Sequence, residues 1–257
     1  MKMFAEERQQ IIIKKVLTDK AVTVKELSHL FKVSMPTIRS DLDLICNLNP
    51  HIERTHGGIV LANSDVSKLT SYEERKAQNL EEKKQIGAIA AKMINHQDTI
   101  MIDSSSTCFE IALQLEHIEK NITIITTSLN IAFKLKENTN LTVVIIGGLL
   151  KPKSITVQNS FDDNIINAFN IDKYFFSASG ISLDNGFSDY NYNEVIDKKK
   201  FLSRSRQAIA LIDSSKFDII SKSSFASLAE VDYLITSDKV SQKTIERYKK
   251  SINIITS

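Results

Sequence analysis

The sequence predicts an α/β protein in two parts: a small helical module at the N-terminus and a larger domain built on a largely parallel sheet with helices on both faces. Two patterns carry this. Over roughly the first sixty residues, helix-spaced apolar stripes are followed by a short glycine-broken β-run. From Ile100 onward, short apolar runs alternate with amphipathic stretches of helical length, an order that lays strands parallel between covering helices. A length of 257 residues with 42% hydrophobic side chains is enough for both cores.

In the first part, Ile12, Ile13, Val16 and Leu17 repeat at helical spacing, and Val24, Leu27, Leu30 and Phe31 do so on a second, shorter helix. The connection over residues 19–23 ends in Thr23, which with Glu26 three residues later makes a capping box. Ser34 is placed to cap a third helix, with Pro36 in its first turn and Ile38, Leu42 and Ile45 facing inward. Two short helices joined by a few residues form the unit that can lay its trailing helix in a major groove. The outward groups there are Ser34, Pro36, Thr37, Arg39 and Ser40. Residues 52–61 read as a hairpin wing turning at Gly57-Gly58, with Arg54 and His56 facing phosphate or the minor groove. The whole is a winged helix-turn-helix over 1–62, expected to bind double-stranded DNA.

Residues 63–70 are polar and aperiodic, so 63–78 is taken as a linker and the start of a connecting helix. That helix is expected to run unbroken from Ser71 to about Asn95. The second domain, 79–257, then places strands at 100–102, 122–125, 141–146, 174–176, 208–212, 231–235 and 252–255. In such a sheet the ligand crevice lies beyond the carboxyl ends of the strands. Five of those ends carry small, hydroxylated or glycine residues: Asp103-Ser104-Ser105-Ser106-Thr107, Thr126-Thr127-Ser128, Gly147-Gly148, Ser179-Gly180 and Asp213-Ser214-Ser215-Lys216. Hydroxyls and free N–H groups at helix starts suit a phosphate or a polyol. Lys216 is the candidate cation, and Asp103, Asp213 and Glu194, after the loop 185–192, are candidates for sugar hydroxyls. The competing reading is that these residues only cap helices and make turns. Lys198-Lys199-Lys200 is read as a solvated helix face.

Composition excludes several classes. A formal charge of +2, from 33 basic and 31 acidic side chains, is no polybasic signal, so DNA binding has to rest on local presentation of cations. Cys46 and Cys108 have no partner at metal spacing, and no metal or cofactor is expected. The charged start and Lys14-Lys15 fit no secretory leader, and the longest apolar stretch, 141–150, is too short to cross a bilayer. A cytoplasmic protein is expected.

The run VSMPTIRSDL from Val33 to Leu42, followed by RTHGG from Arg54 to Gly58, closely resembles the DNA-binding domain of the DeoR family of bacterial sugar-metabolism regulators. The likeness continues through Arg75, Lys83 and Ile86 to the DSSK segment ending at Lys216. It implies a repressor, less often an activator, whose sensor domain is similar in fold to ribose-5-phosphate isomerase and answers to a phosphorylated sugar. Asp213 and Lys216 fall on the family's effector-response positions. The chain departs from the family where Ser40 replaces a second arginine, Ser105 a glycine and Thr127 an asparagine. A regulator working as a homodimer or homotetramer is the leading expectation. The alternatives are a sugar-phosphate isomerase using Glu194 and Lys216, or a DNA-binding protein whose second domain only oligomerises.

Overall fold

The computed structural model describes residues 5–19, 21–48, 52–55, 57–61, 72–151, 154–158 and 164–257. His51, His56 and the expected linker residues 63–70 lie outside them. The chain divides into two compact units, Met1–Leu69 and Thr70–Ser257.

The first unit runs α1 (Ala5–Asp19), β1 (Ala21–Thr23), α2 (Val24–Phe31), α3 (Met35–Leu48), β2 (Ile52–Arg54) and β3 (Gly58–Leu61). Its core gathers the stripes read from the sequence: Ile12, Val16, Val24, Leu27, Ile38, Leu42 and Ile45, with Val22, Ile52 and Ile59 from the strands. Leu30 departs from its stripe and is 55% exposed. The capping box is formed. Thr23 N donates to Glu26 Oε2 at 2.9 Å and Glu26 N to Thr23 Oγ1 at 3.2 Å.

Residues 21–23, expected as a plain connection, are instead a strand that pairs antiparallel with the wing, giving the order β1-β3-β2. The pairing requires glycine at position 58, where a Cβ would stand 2.1 Å from the Val22 carbonyl oxygen. Beneath the helices, Arg8 Nε and Nη2 donate to the two oxygens of Asp41 at 2.6 and 3.1 Å, and Gln9 Nε2 adds a third bond at 2.9 Å. Both ends of this ion pair are buried. It ties α1 to α3 and holds the Asp41 carboxylate away from the surface.

The second unit opens with α4 (Tyr72–Ala77) and α5 (Leu80–Lys92), so the single connecting helix is in fact two. The break is at Asn79, whose backbone is left-handed at φ 52°, a conformation asparagine tolerates better than most side chains. There follow β4 (Thr99–Ile102), α6 (Ser106–Leu115), β5 (Ile122–Thr126), α7 (Leu129–Leu135), β6 (Leu141–Ile145), β7 (Leu149–Leu150), β8 (Val157–Gln158), α8 (Asn164–Asn167) and β9 (Ile171–Phe176). Then come β10 (Gly180–Ser182), β11 (Gly186–Asp189), α9 (Tyr192–Arg204), β12 (Ser205–Leu211), β13 (Ser223–Ala226), β14 (Tyr233–Thr236), α10 (Gln242–Tyr248) and β15 (Asn253–Thr256).

The seven apolar runs of the sequence make one parallel sheet in the order β15-β14-β12-β9-β4-β5-β6. Strand periodicity divides its side chains between two cores. Met101, Tyr174, Phe176 and Ala210 face one side, while Ile100, Ile102, Phe175, Ile209 and Leu211 face the other. The sequence reading left out β10, β11 and β13, which form a small antiparallel sheet, and treated 185–192 as a loop. Those strands read GIS, GFSD and SSFA, and none contains an apolar run of the kind that marks the strands of the large sheet.

The Arg8–Asp41 pair yields the first prediction. Replacing Asp41 with Ala strands a buried guanidinium, and about 3–5 kcal/mol of stability in the first unit is lost. Hydrogen exchange of the full chain checks this: amides of α1 and α3 exchange faster while those of the seven-stranded sheet keep their protection.

Candidate functional site

Beyond β4 the chain continues to β5 and β6 on one side of the sheet, and beyond β9 to β12, β14 and β15 on the other. The order reverses between β4 and β9, and at such a switch point the loops diverge and leave a crevice. A small cleft opens there. Its walls come from three of the five expected strand ends: Asp103 to Thr107 after β4, Ser177 to Ser179 after β9, and Asp213, Ser215 and Lys216 after β12. Glu194 joins them from α9, and Arg75, Gln78, Asn79 and Lys83 come from the α4–α5 junction.

The floor is an ionic cluster. Lys198 of α9, expected on a solvated face, is 6% exposed. Its ammonium donates to Asp189 Oδ2 and the Ser177 carbonyl, each at 2.6 Å, and stands 3.2 Å from Asp103 Oδ2. Burial pulls its pKa down, but Asp189, Asp103 and Glu194 together outweigh that and leave it raised above 10.5. Asp103 is also fixed by N–H groups from Ser105 at 2.8 Å and Ser177 at 3.1 Å. The Ser179 hydroxyl donates to Asp189.

Glu194 stands above this floor with its carboxyl pushed up, first by burial and then by Asp189 and Asp103, against the pull of Lys198 and Arg75. Its Oε1 accepts from Asn191 Nδ2 at 2.8 Å. Arg75 Nη1 donates to the Tyr190 hydroxyl at 2.8 Å. Lys83 donates to the Arg75 carbonyl, and its pKa is pushed down mainly by burial, with Lys216 and Arg75 adding to the effect against Asp213. Lys216, half-buried, has no hydrogen-bond or ion-pair partner for its ammonium among the described residues. The Asp213–Lys216 turn is itself held from α5. Buried Glu82 accepts from Ser214 N and Ser214 Oγ, both at 2.9 Å, and from Ser237 Oγ at 2.5 Å. The cleft thus brings cations, carboxylates, hydroxyls and a helix N-terminus together, which suits a polyhydroxylated anion.

Ser105 replaces an expected glycine without strain. Its backbone is extended at φ −68°, and its hydroxyl caps α6 by accepting from Cys108 N at 3.1 Å. The other expected residues lie outside the cleft. Thr126, Thr127 and Ser128 follow β5, one strand further from the switch point. Thr126 Oγ1 donates to the Ile102 carbonyl at 2.8 Å, and Ser128 caps α7. Gly147 and Gly148 follow the edge strand β6 and are exposed. Gly180 packs on the Ile219 carbonyl, 2.4 Å from where a Cβ would stand. The sequence reading missed Gln78, Asn79, Asp189, Tyr190 and Lys198 as lining residues. Lys198 carried a signal in its spacing, since it lies one helical turn after Glu194 and so shares its face.

On the first unit, Pro36, Thr37, Arg39 and Ser40 are exposed along the start of α3. Ser34 Oγ and Thr37 Oγ1 are hydrogen-bonded at 2.8 Å. Arg39 has no ion pair among the described residues. Arg54 is committed internally, donating to Asp43 Oδ1 at 2.8 Å and to the Gly58 carbonyl at 2.6 Å.

Residues 8–65 match the model of the DeoR-like helix-turn-helix domain, and residues 78–238 match that of the DeoR C-terminal sensor domain. The chain belongs to the DeoR family. It is 34% identical over 96% of both chains to the HTH-type transcriptional regulator GolR of Listeria innocua. To the glycerol-3-phosphate regulon repressor of Escherichia coli it is 31% identical over 90% of both. Ribose 5-phosphate isomerase A of Methanocaldococcus jannaschii is a structural neighbour with 15% identity, 55% of each chain covered and a TM-score of 0.41. As a DeoR-family member the chain is a DNA-binding transcription regulator, with a helix-turn-helix module in its first unit and the cleft in its sensor domain. No described helix is long and apolar enough to cross a membrane.

The raised pKa of Glu194 sets a pH dependence. Because the folded state favours the neutral acid, this group's contribution is full below its ordinary value of 4.5 and is lost as pH rises through the folded value. Urea unfolding of the wild type and Glu194→Gln across that range reads the difference. The wild type is expected to lose stability relative to the variant as pH climbs, and a flat or opposite trend counts against the assignment.

Proposed function

We propose that the protein represses a sugar-metabolism operon and is released from its operator by a phosphorylated sugar bound in the sensor cleft. The observation that carries this reading is the composition of the cleft: Lys216, whose ammonium has no hydrogen-bond or ion-pair partner among the described residues, together with Lys83, the N-terminus of α6, Glu194 and the carboxylate floor. Cations and helix N–H groups take a phosphate, and carboxylates take sugar hydroxyls. One relative is named for the regulon of glycerol 3-phosphate, itself a phosphate ester of a polyol.

In this reading 1–62 is the DNA reader, 63–78 the junction and 79–257 the sensor and oligomerisation domain of a cytoplasmic homodimer or homotetramer. Pairing two readers at the spacing of two half-sites gives operator affinity. A ligand that prefers another spacing lowers that affinity by its differential binding energy, typically about 1–3 kcal/mol. Ser34, Pro36, Thr37, Arg39 and Ser40 read the duplex, and Arg54 and His56 support them from the wing. Asp103 to Thr107, Glu194, Asp213 and Lys216 hold the effector. The sensor binds without turnover, and conversion of a sugar phosphate by the purified protein, abolished in Glu194→Gln, would reverse that assignment.

Two measurements test this. In a titration of bound operator with a panel of phosphorylated sugars, at least one releases the wild-type protein, while Lys216→Ala binds operator normally and is released only at much higher ligand. Indifference of both proteins to the whole panel removes the sensing role and leaves an oligomerising domain. Separately, Arg39→Ala is expected to weaken specific operator binding by about 1–3 kcal/mol if the guanidinium reads a base edge, or to flatten the salt slope by about one unit if it meets phosphate. Unchanged affinity and unchanged salt slope take Arg39 out of the interface.

A further inference from the structure

The turn that carries Lys216 has a front and a back. Asp213, Ser215 and Lys216 line the cleft, whereas Ser214, between them, does not. Ser214 instead meets Glu82 in the first turn of α5, giving Oε2 its backbone N–H and Oε1 its hydroxyl, both at 2.9 Å. The same Oε2 accepts from Ser237 Oγ at 2.5 Å, on the loop after β14, and the Lys239 ammonium stands 3.8 Å from Oε1. Glu82 is buried and lies outside the cleft lining, so it acts on the cleft only through what it holds. A carboxylate in such a place costs more than an apolar side chain of similar size, and what it supplies is a fixed geometry. Three positions before it, Asn79 Nδ2 donates to Asp213 Oδ1 at 2.9 Å, so the start of α5 holds two successive residues of the turn. Lys83, next to Glu82 in sequence, lines the cleft itself. The first turn of α5 thus carries one cleft lysine and anchors the turn that bears the other.

We infer that Glu82 is a positioning residue for anion binding: it holds the Asp213–Lys216 turn from behind and so keeps Lys216 at the cleft. The inference rests on the reading of the cleft as a phosphate-ester site. The Lys216 ammonium has no hydrogen-bond or ion-pair partner among the described residues, so its place is set by the backbone beneath it. That backbone is a single short turn, closed by Lys216 N donating to the Asp213 carbonyl at 3.1 Å, and Glu82 grips it at Ser214. One turn of this kind is not stable by itself. Left loose, it would have to be ordered by the ligand, which lowers affinity; held by Glu82, it is ordered on folding. The hydrogen-bond geometry, more than the charge, is what the turn needs. A glutamine amide at position 82 can accept from Ser214 N and Ser237 Oγ with its oxygen and donate to Ser214 Oγ with its nitrogen.

Isothermal titration calorimetry of the full chain with inorganic phosphate, with chloride at matched ionic strength as the reference, tests this. Glu82→Ala is expected to weaken phosphate binding by about tenfold, the order of one lost hydrogen bond to a charged group. Ser214→Ala, which removes the hydroxyl bond and leaves the N–H bond, is expected to weaken it by less, and Glu82→Gln to stay close to wild type. The decisive comparison is with Lys216→Ala. If Glu82 acts by placing Lys216, its loss adds little once that ammonium is gone, and the double variant binds about as weakly as Lys216→Ala alone. Additive losses, wild-type affinity in Glu82→Ala, or a Glu82→Gln as weak as Glu82→Ala each overturn the positioning role and leave the phosphate site standing. Should Glu82→Ala fail to fold, Ser214→Ala carries the same cycle: a loss that disappears in the Lys216→Ala background supports the role, and no loss, or one that persists there, overturns it. Absence of phosphate binding in the wild type removes the phosphate reading and the role of Glu82 together.

Discussion

The sensor depends on one buried cation. The Lys198 ammonium is buried, and it stays charged because Asp189 and the Ser177 carbonyl accept its hydrogen bonds and Asp103 lies beside it. Those three groups sit on β11, on the loop after β4 and on the loop after β9, so the one side chain ties together the two loops that leave the paired strands where the sheet reverses and the strand beside them. A pair of carboxylates brought together without it would repel and open the floor. With it, the carboxylates are fixed and the cleft above has a rigid base against which a ligand is positioned. Its stabilising contribution is lost only when pH climbs above 10.5, so the floor stays intact through the physiological range.

Most of the architecture was legible because it is written in periodicity. The seven apolar runs became the seven parallel strands, and the stripes on three short helices became the core of the reader. The order of the strands was not legible. Hydroxylated loops after β4 and β5 look alike in sequence, but only the first lies at the reversal, so Ser128 caps a helix and Thr126 bonds the Ile102 carbonyl while Ser104 to Thr107 line the cleft. Lys198 was hidden for a related reason. Within Lys198-Lys199-Lys200 all three look like solvent-facing charges, and only the tertiary placement of Asp103 and Asp189 buries the first. The break at Asn79 escaped because asparagine in a charged helical stretch lowers propensity only slightly. The side chain at the bend bonds Asp213, 134 positions away, a contact no local pattern records.

The reader has its own counterpart to this arrangement. Asp41 lies on the helix expected to meet DNA, where an exposed carboxylate would repel phosphate, and its pairing with Arg8 both neutralises it and fixes the angle of α3 against α1. Polar groups thus hold the geometry in both units where apolar packing alone leaves relative positions free, a use of buried charge that gives specificity more than stability.

Arg54 extends that logic to the wing. Bonded to Asp43 on α3 and to the carbonyl of Gly58 at the turn, it welds hairpin to helix, and β1 stitches the other side of the hairpin to the cap of α2. A module locked at both edges meets its target as a fixed stamp. When a reader is rigid, the accommodation falls on the nucleic acid, and how easily a base step bends or narrows its groove then contributes to discrimination at positions no side chain touches.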